Sequence, residues 1–237
     1  MRFRFFVYIQ YPELSYSTLM GTSNWQNISY NIDLVKKLDP KSILDIGVGF
    51  GRWGILFREF LEIWGERNYS GEWKRIIDGV EIFPGYIKDY HKYFYSNIYN
   101  EDALEFIKKT DKNYDLINCG DVLEHFSKTD AQEFVSVAMK KSRYLLINIP
   151  IGKNWKQDAI NNNEHEKHLS KWYNSDFKRY KYHIIRKFHD VEMREFSVIL
   201  LSKDKIKLNL TYGKFFYVKN LLRNKFGMGW LLKIIGK

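Results

Sequence analysis

The chain has 237 residues, 45% of them hydrophobic, 17% aromatic and 28% charged, with one cysteine and a formal net charge of +10. That size and aromatic content exclude a disulfide- or metal-stapled miniprotein and a disordered tail, and a lone cysteine cannot close an internal disulfide. Nine basic residues and one acid lie from Lys203 onward, so residues 1–202 are close to neutral, unlike the spread positive face of a nucleic-acid enzyme.

The N-terminus, Met1 to Ile9, begins like a signal peptide, but Gln10, Pro12 and Glu13 stop it early. No apolar run approaches the ~18–20 residues of a membrane span. The expectation is a soluble, cytoplasmic protein of a reducing compartment. Residues 1–40 read as an N-terminal helical or cap segment, with Ile28, Ile32, Leu34, Val35 and Leu38 at helical spacing and a stop at Asp39-Pro40. Residues 41–204 then alternate short apolar runs with amphipathic stretches. The predicted strands are Ser42–Ile46, Ile76–Ile82, Asn97–Tyr99, Tyr114–Cys119, Tyr144–Ile149, His183–Phe188 and Phe196–Leu201. The predicted helices are Trp53–Trp64, Gly85–Phe94, Ala103–Lys109 and Thr129–Lys141. Strand–helix–strand alternation predicts a doubly wound α/β fold with a mostly parallel sheet. No helix-length gap separates the last two runs, which should form an antiparallel hairpin at one edge.

Such a fold binds its ligand beyond the carboxyl ends of its strands. The first strand leads into Gly47-Val48-Gly49-Phe50-Gly51, where glycines let backbone approach a ligand and open a helix. Gly49, Gly51 and Gly54 also fit the dinucleotide spacing G-x-G-x-x-G, a weak signal alone; tight turns with no ligand would read the same way. The second strand ends at Glu81, an acceptor for two ribose hydroxyls. It lies 30 residues after Gly51, and the polar stretch Gly65–Arg75 reads as a local insertion that accounts for the distance. The third strand ends in Asn100-Glu101-Asp102-Ala103, an acceptor where an adenine amino group could donate. The fourth leads through Cys119-Gly120-Asp121 into Val122-Leu123-Glu124-His125-Phe126. Any single acid here could be a solvated helix start; three at successive strand ends share one register.

With Ile43-Leu44-Asp45-Ile46-Gly47-Val48-Gly49-Phe50-Gly51, Gly79-Val80-Glu81, Asp102-Ala103 and Asp121-Val122-Leu123-Glu124-His125-Phe126 together, the chain resembles class I S-adenosylmethionine-dependent methyltransferases, small-molecule enzymes in particular. The resemblance covers about residues 40–150. It implies a Rossmann-like seven-stranded sheet with the last strand inserted antiparallel, and S-adenosyl-L-methionine as cofactor. It also implies that Asp45, Gly47 and Gly49, with Gly51 in the same loop, cradle the methionine part. On the same grounds Glu81 holds the ribose, Asp102 and Ala103 the adenine, and Cys119, Gly120 and Asp121 the sulfonium end.

Methyl transfer to a hydroxyl needs alignment and removal of a proton. His125, after the fourth strand, is one candidate base; a packed, hydrogen-bonded histidine is the other reading. After the fifth strand, Asn161-Asn162-Asn163-Glu164-His165-Glu166-Lys167-His168 supplies a second candidate, His165. His165 and His168 beside two glutamates also suit a divalent cation, but the spacing is too common to assign a metal. Asparagines, histidines and Glu164 for hydroxyls, with Trp155 and Trp172 as ring faces or as core residues, favour a small polyhydroxylated acceptor such as a sugar or glycan precursor. Nucleic acid is disfavoured: Asn118-Cys119-Gly120-Asp121 has no Pro-Pro-aromatic run, and Cys119 does not follow a proline. Alternatives are another small-molecule or nucleic-acid acceptor, or a non-catalytic cofactor-binding module. In residues 205–237, Phe215, Val218, Leu222 and Phe226 share a helical face among basic residues, and Trp230 follows a glycine break. Such a segment either docks on its own domain or makes peripheral membrane contact at the inner face.

Overall fold

The computed structural model describes residues 24–68, 72–160 and 163–208. The expectations for the tail beyond residue 208 and for most of the N-terminal segment therefore lie outside the described residues. The first element is α1 (Ile28–Leu38), which buries Tyr30, Leu34 and Val35 and ends where Asp39 turns left-handed ahead of Pro40. It leads to β1 (Ser42–Ile46) and to α2 (Arg52–Phe57), which continues through a π-helical stretch, Arg58–Ile63, into α3 (Trp64–Glu66). Then come β2 (Ile76–Val80), α4 (His91–Phe94), β3 (Asn97–Tyr99), α5 (Ala103–Lys109), β4 (Tyr114–Gly120), α6 (Lys128–Lys141) and β5 (Ser142–Pro150). The described chain closes with α7 (Asn174–Phe177) and the hairpin β6 (Tyr182–His189) and β7 (Glu195–Ser202).

Among the described residues the sheet has seven strands in the order β3-β2-β1-β4-β5-β7-β6. The first five are parallel, and β7 runs antiparallel between β5 and β6. Central strands are covered on both faces, which is why their sequences are near-continuous apolar runs rather than alternating ones. One core lies under α5 and α6, built from Leu44, Ile46, Ile117, Leu145, Ile147 and Phe134. The other lies under α1 and α2, built from Ile43, Leu116, Leu146, Leu34, Trp53 and Phe57. Edge strand β6 is half-buried and carries Arg186 and Lys187, charges that discourage further strand pairing.

The expected helix over Gly85–Phe94 is not one helix. Pro84–Tyr86 form a 3-10 turn, Ile87 is extended, and the Lys88 N–H is taken by Nδ1 of His91 (2.9 Å), which stops helical propagation before α4. The π-helical stretch went unread because a widened turn keeps the same apolar spacing to within a residue. It places Arg58 and Glu62, both almost wholly buried, in an ion pair, while Arg58 also donates to the carbonyls of Phe94 (2.8 Å) and Arg75 (2.7 Å).

At the carboxyl end of β5, Asn148 anchors α1: the side-chain amides of Asn27 and Asn31 both donate to its Oδ1, at 2.9 and 2.8 Å. The chain order reverses between β1 and β4, so the crevice of the fold opens at the carboxyl ends of these two strands. No helix among the described residues is long and apolar enough to cross a membrane.

Candidate functional site

The loops beyond β1, β2 and β4 meet at this crevice. Gly47 and Gly51 adopt positive φ of 72° and 81°. A Cβ at Gly47 would lie 2.5 Å from the Val122 side chain, and one at Gly51 would lie 2.7 Å from the His91 ring, so both positions are closed to larger residues. The loop is tied across to β2 by Glu81. Its carboxylate accepts from the Gly49 N–H (2.8 Å) on Oε2 and from the Phe83 N–H (2.9 Å) on Oε1. Burial pushes the Glu81 carboxyl up, against the pull of those two amides. Each oxygen keeps further lone-pair capacity, as a carboxylate offers about four acceptor positions.

Asp45 lies beneath the loop and is almost wholly buried. Its Oδ2 accepts from the Tyr95 hydroxyl (2.6 Å) and its Oδ1 from the Asn118 amide (2.8 Å). Burial raises its pKa from 3.8 to about 7. Asp45 is thus held by internal donors, and no sequence pattern marks Tyr95 or Asn118 as its partners. Asp102 caps α5, with Oδ1 taking the N–H groups of both Leu104 (2.8 Å) and Glu105 (3.0 Å). That leaves Oδ2 as the oxygen available to a ligand, with Ala103 buried beside it in the first turn.

Of the three residues at the carboxyl end of β4, Cys119 points its thiol into the core under α5 and α6, where burial pushes it well up, so it can border a ligand only through its backbone. Gly120 faces the Trp53 ring; a Cβ there would sit 2.4 Å from the indole nitrogen. Asp121 adopts a φ of 52° and donates its N–H to the Asn148 carbonyl (2.9 Å). Near it, the indole N–H of Trp53 and the side-chain amide nitrogen of Asn148 are buried without hydrogen-bond partners among the described residues. Neither was a sequence candidate.

The 3-10 turn Leu123–His125 is stitched to the segment that follows β5. The Leu169 and Ser170 N–H groups donate to the Glu124 carbonyl at 2.8 and 3.0 Å, and the Ser170 hydroxyl donates to the Leu123 carbonyl at 3.1 Å. These bonds bring His168 against His125, ring centroids 5.0 Å apart. Nδ1 of His125 lies 3.1 Å from the Lys167 carbonyl, and Nδ1 of His168 lies 2.9 Å from the Trp155 carbonyl. A carbonyl only accepts, so each Nδ1 carries the proton and each Nε2 presents a lone pair. Burial lowers the pKa of both rings, that of His168 to about 4. Glu124 is buried beside them, its carboxyl pushed well up by burial and by the charge of Asp121.

His165 and His168, whose spacing alone assigns no metal, do not gather into one cluster. His165 is exposed, its backbone N–H bonded to Asn163 Oδ1 (3.0 Å), whereas Glu166 turns inward and accepts from the Tyr86 hydroxyl (2.7 Å). Trp172 is a core residue stacked on Phe177, not a ring platform, and Trp155 is half-buried with its indole N–H on the Glu195 carbonyl (2.8 Å). A cavity of about 250 Å³ lined by Lys36, Asp39, Lys41, Glu66 and Arg75 lies at the opposite, amino ends of the strands; Asp39, Lys41, Glu66 and Arg75 are spent on mutual ion pairs, and Lys36 lies over the Phe60 and Trp64 rings.

No family model and no curated protein sequence matches the chain. Solved structures do. A SAM-dependent methyltransferase from Archaeoglobus fulgidus superimposes with a TM-score of 0.53 at 16% identity, over 74% of this chain and 92% of that one. TehB from Haemophilus influenzae gives 0.52 at 14% identity, over 74% of this chain and 62% of its own. The plantazolicin methyltransferase BamL, solved with a triazolic desmethylPZN analog and SAH, gives 0.51 at 14%, over 76% and 85%. With its strand order and its antiparallel closing hairpin, the chain has the Rossmann-like fold of the class I S-adenosylmethionine-dependent methyltransferases.

Proposed function

We propose that the protein binds S-adenosyl-L-methionine and transfers its methyl group to a hydroxyl oxygen of a small polyhydroxylated acceptor, such as a sugar or glycan precursor. The observation that carries cofactor binding is Glu81: a buried carboxylate at the carboxyl end of β2, beside the switch point, fixed by two backbone amides from the two loops that flank it. Its remaining lone pairs suit a ribose diol. The buried N–H groups of Trp53, from α2 against Gly120, and of Asn148, near the end of β5, suit the cofactor's carboxylate, and Asp102 Oδ2 suits the adenine amino group. Gly47, Gly49 and Gly51 keep side chains out of the loop between them.

The bound cofactor supplies an activated methyl on a sulfonium. The chain's own work is to hold the acceptor in line and to receive its proton. His125 suits the second role, because with Nδ1–H on the Lys167 carbonyl the basic nitrogen is Nε2, and burial favours the neutral ring. His165, exposed on the following turn, has no such fixed orientation and is a better contact for acceptor hydroxyls. Glu124 and the polar cover that carries Gln157 and Glu166 favour a hydroxylated ligand over an apolar one.

Calorimetry tests the cofactor. S-adenosylhomocysteine should bind, nicotinamide dinucleotides should not, and Glu81→Ala should weaken binding by at least tenfold, since hydrogen bonds to a charged group are worth about 1.5–3 kcal/mol each. Unchanged affinity in a folded Glu81→Ala protein would overturn the ribose assignment.

A further inference from the structure

We propose that Glu124, His125 and His168 form a binding site for a divalent transition-metal cation of the zinc, cobalt or manganese type. Each residue offers one ligand atom, and the three atoms lie within 4.8 Å of one another. With metal–ligand bonds of about 2.0–2.2 Å, ligand atoms around one ion sit about 3–4 Å apart, so small side-chain rotations close the set.

Two independent features support a cation over a packed polar cluster. First, both imidazoles are oriented as ligands: each gives its Nδ1–H to a backbone carbonyl, Lys167 for His125 and Trp155 for His168, which is the outer support that fixes ring and tautomer at metal centres. Second, Oε2 of Glu124 is buried with no hydrogen-bond partner among the described residues, on a residue only 2% exposed. A buried carboxylate oxygen left unmade is costly, and neither histidine relieves it by donating, since both ring protons are committed elsewhere. A cation resolves both at once.

Two nitrogens and one carboxylate favour zinc, cobalt, manganese or iron over magnesium and calcium, which prefer oxygen ligands throughout. Three protein ligands also leave a coordination position for water or for an oxygen ligand, as catalytic sites do and structural ones do not. The binding proposal is independent of methyl transfer. Its consequence for the acceptor rests on the reading above: a cation here takes the Nε2 lone pair of His125, and acidification of a bound hydroxyl passes from histidine to metal.

The test uses the full chain without cofactor. Cobalt(II) added to metal-stripped protein should bind at one equivalent, with visible absorption of a site of low coordination number, and zinc should displace it. X-ray absorption at the bound zinc should show two imidazole nitrogens. His168→Ala should weaken zinc binding by at least tenfold, and His165→Ala should leave it unchanged. His168→Gln, closer in volume, guards against a folding defect, and circular dichroism reports on both variants. Absence of stoichiometric binding by the wild-type protein, or binding indifferent to His168 but lost in His165→Ala, would overturn the proposal. Because no cofactor is present, neither outcome depends on whether the protein is a methyltransferase.

Discussion

Asp45→Asn isolates the electrostatic cost of the carboxylate beneath the crevice. The substitution preserves volume: the new Oδ1 can accept from Asn118 as before, and the new amide can donate to the Tyr95 oxygen, which already accepts from the Gly54 N–H at 3.1 Å. What disappears is the titration. Asp45 has a pKa of about 7 when folded, against 3.8 for a free aspartate, so the native state holds this proton more tightly than the unfolded chain. An acid shifted upward contributes stability that is complete below about pH 4 and is lost as pH rises towards 7. At about 1.4 kcal/mol per unit, the loss amounts to about 4 kcal/mol across that window. The buried histidines work in the other direction. His168, lowered to about 4, contributes stability above its ordinary value of 6.5 and loses it as pH falls through 4, and His125 and His91 share that sign. The wild-type pH profile is therefore a partial cancellation, and only the difference between variant and wild type reads Asp45. Urea denaturation at pH 4.5, 6 and 7.5 should show Asp45→Asn gaining on wild type by about 3–4 kcal/mol from the lowest to the highest pH. A difference that stays flat within about 0.5 kcal/mol would refute a strongly raised Asp45.

Glu62→Ala should destabilise by about 3–5 kcal/mol in urea, because it strands the buried Arg58 guanidinium and removes the acceptor for the Lys74 N–H (2.7 Å) and Arg75 N–H (3.2 Å); a loss below about 1 kcal/mol would contradict that accounting. Replacing the pair together, Arg58→Met with Glu62→Leu, should cost much less than Glu62→Ala alone, and equal losses would show that the stranded charge is not the cause. For the basic tail, we propose peripheral membrane contact: removal of residues 209–237 should abolish salt-sensitive sedimentation with anionic vesicles, and sedimentation that survives the removal would reject it.

The central strands were legible because burial on both faces turns them into apolar runs bounded by charge, and strands Ser42–Ile46 and Asn97–Tyr99 and helix Ala103–Lys109 fall on the predicted limits. Glycine spacing and strand-end acids likewise marked the crevice, since backbone approach and capping are local demands. Pairings across the sheet were not legible. Nothing adjacent in sequence couples Asp45 to Tyr95, 50 positions away, or to Asn118, 73 away. The neighbour of His168 was not legible for the same reason: the segment is a 3-10 turn over Glu164–Glu166 followed by extended backbone, and His168 meets His125, 43 positions earlier in the sequence. For Trp172 the sequence left ring face and core both open; it turns into the core between the exposed Lys171 and Tyr173.

Asn148 answers to two distant parts of the chain at once. Its side chain receives Asn27 and Asn31 from α1, and its carbonyl receives the N–H of Asp121, the residue that opens the turn carrying Glu124 and His125. A boundary drawn at residue 40, natural from the sequence, would therefore cut away a buttress while leaving every candidate ligand-binding residue in place. Shortened versions that start at the first strand would keep the chemistry on paper and lose the frame that aims it. The same linkage gives the N-terminal helix leverage: whatever seats or unseats α1 acts, through one asparagine, on the geometry of the turn after β4.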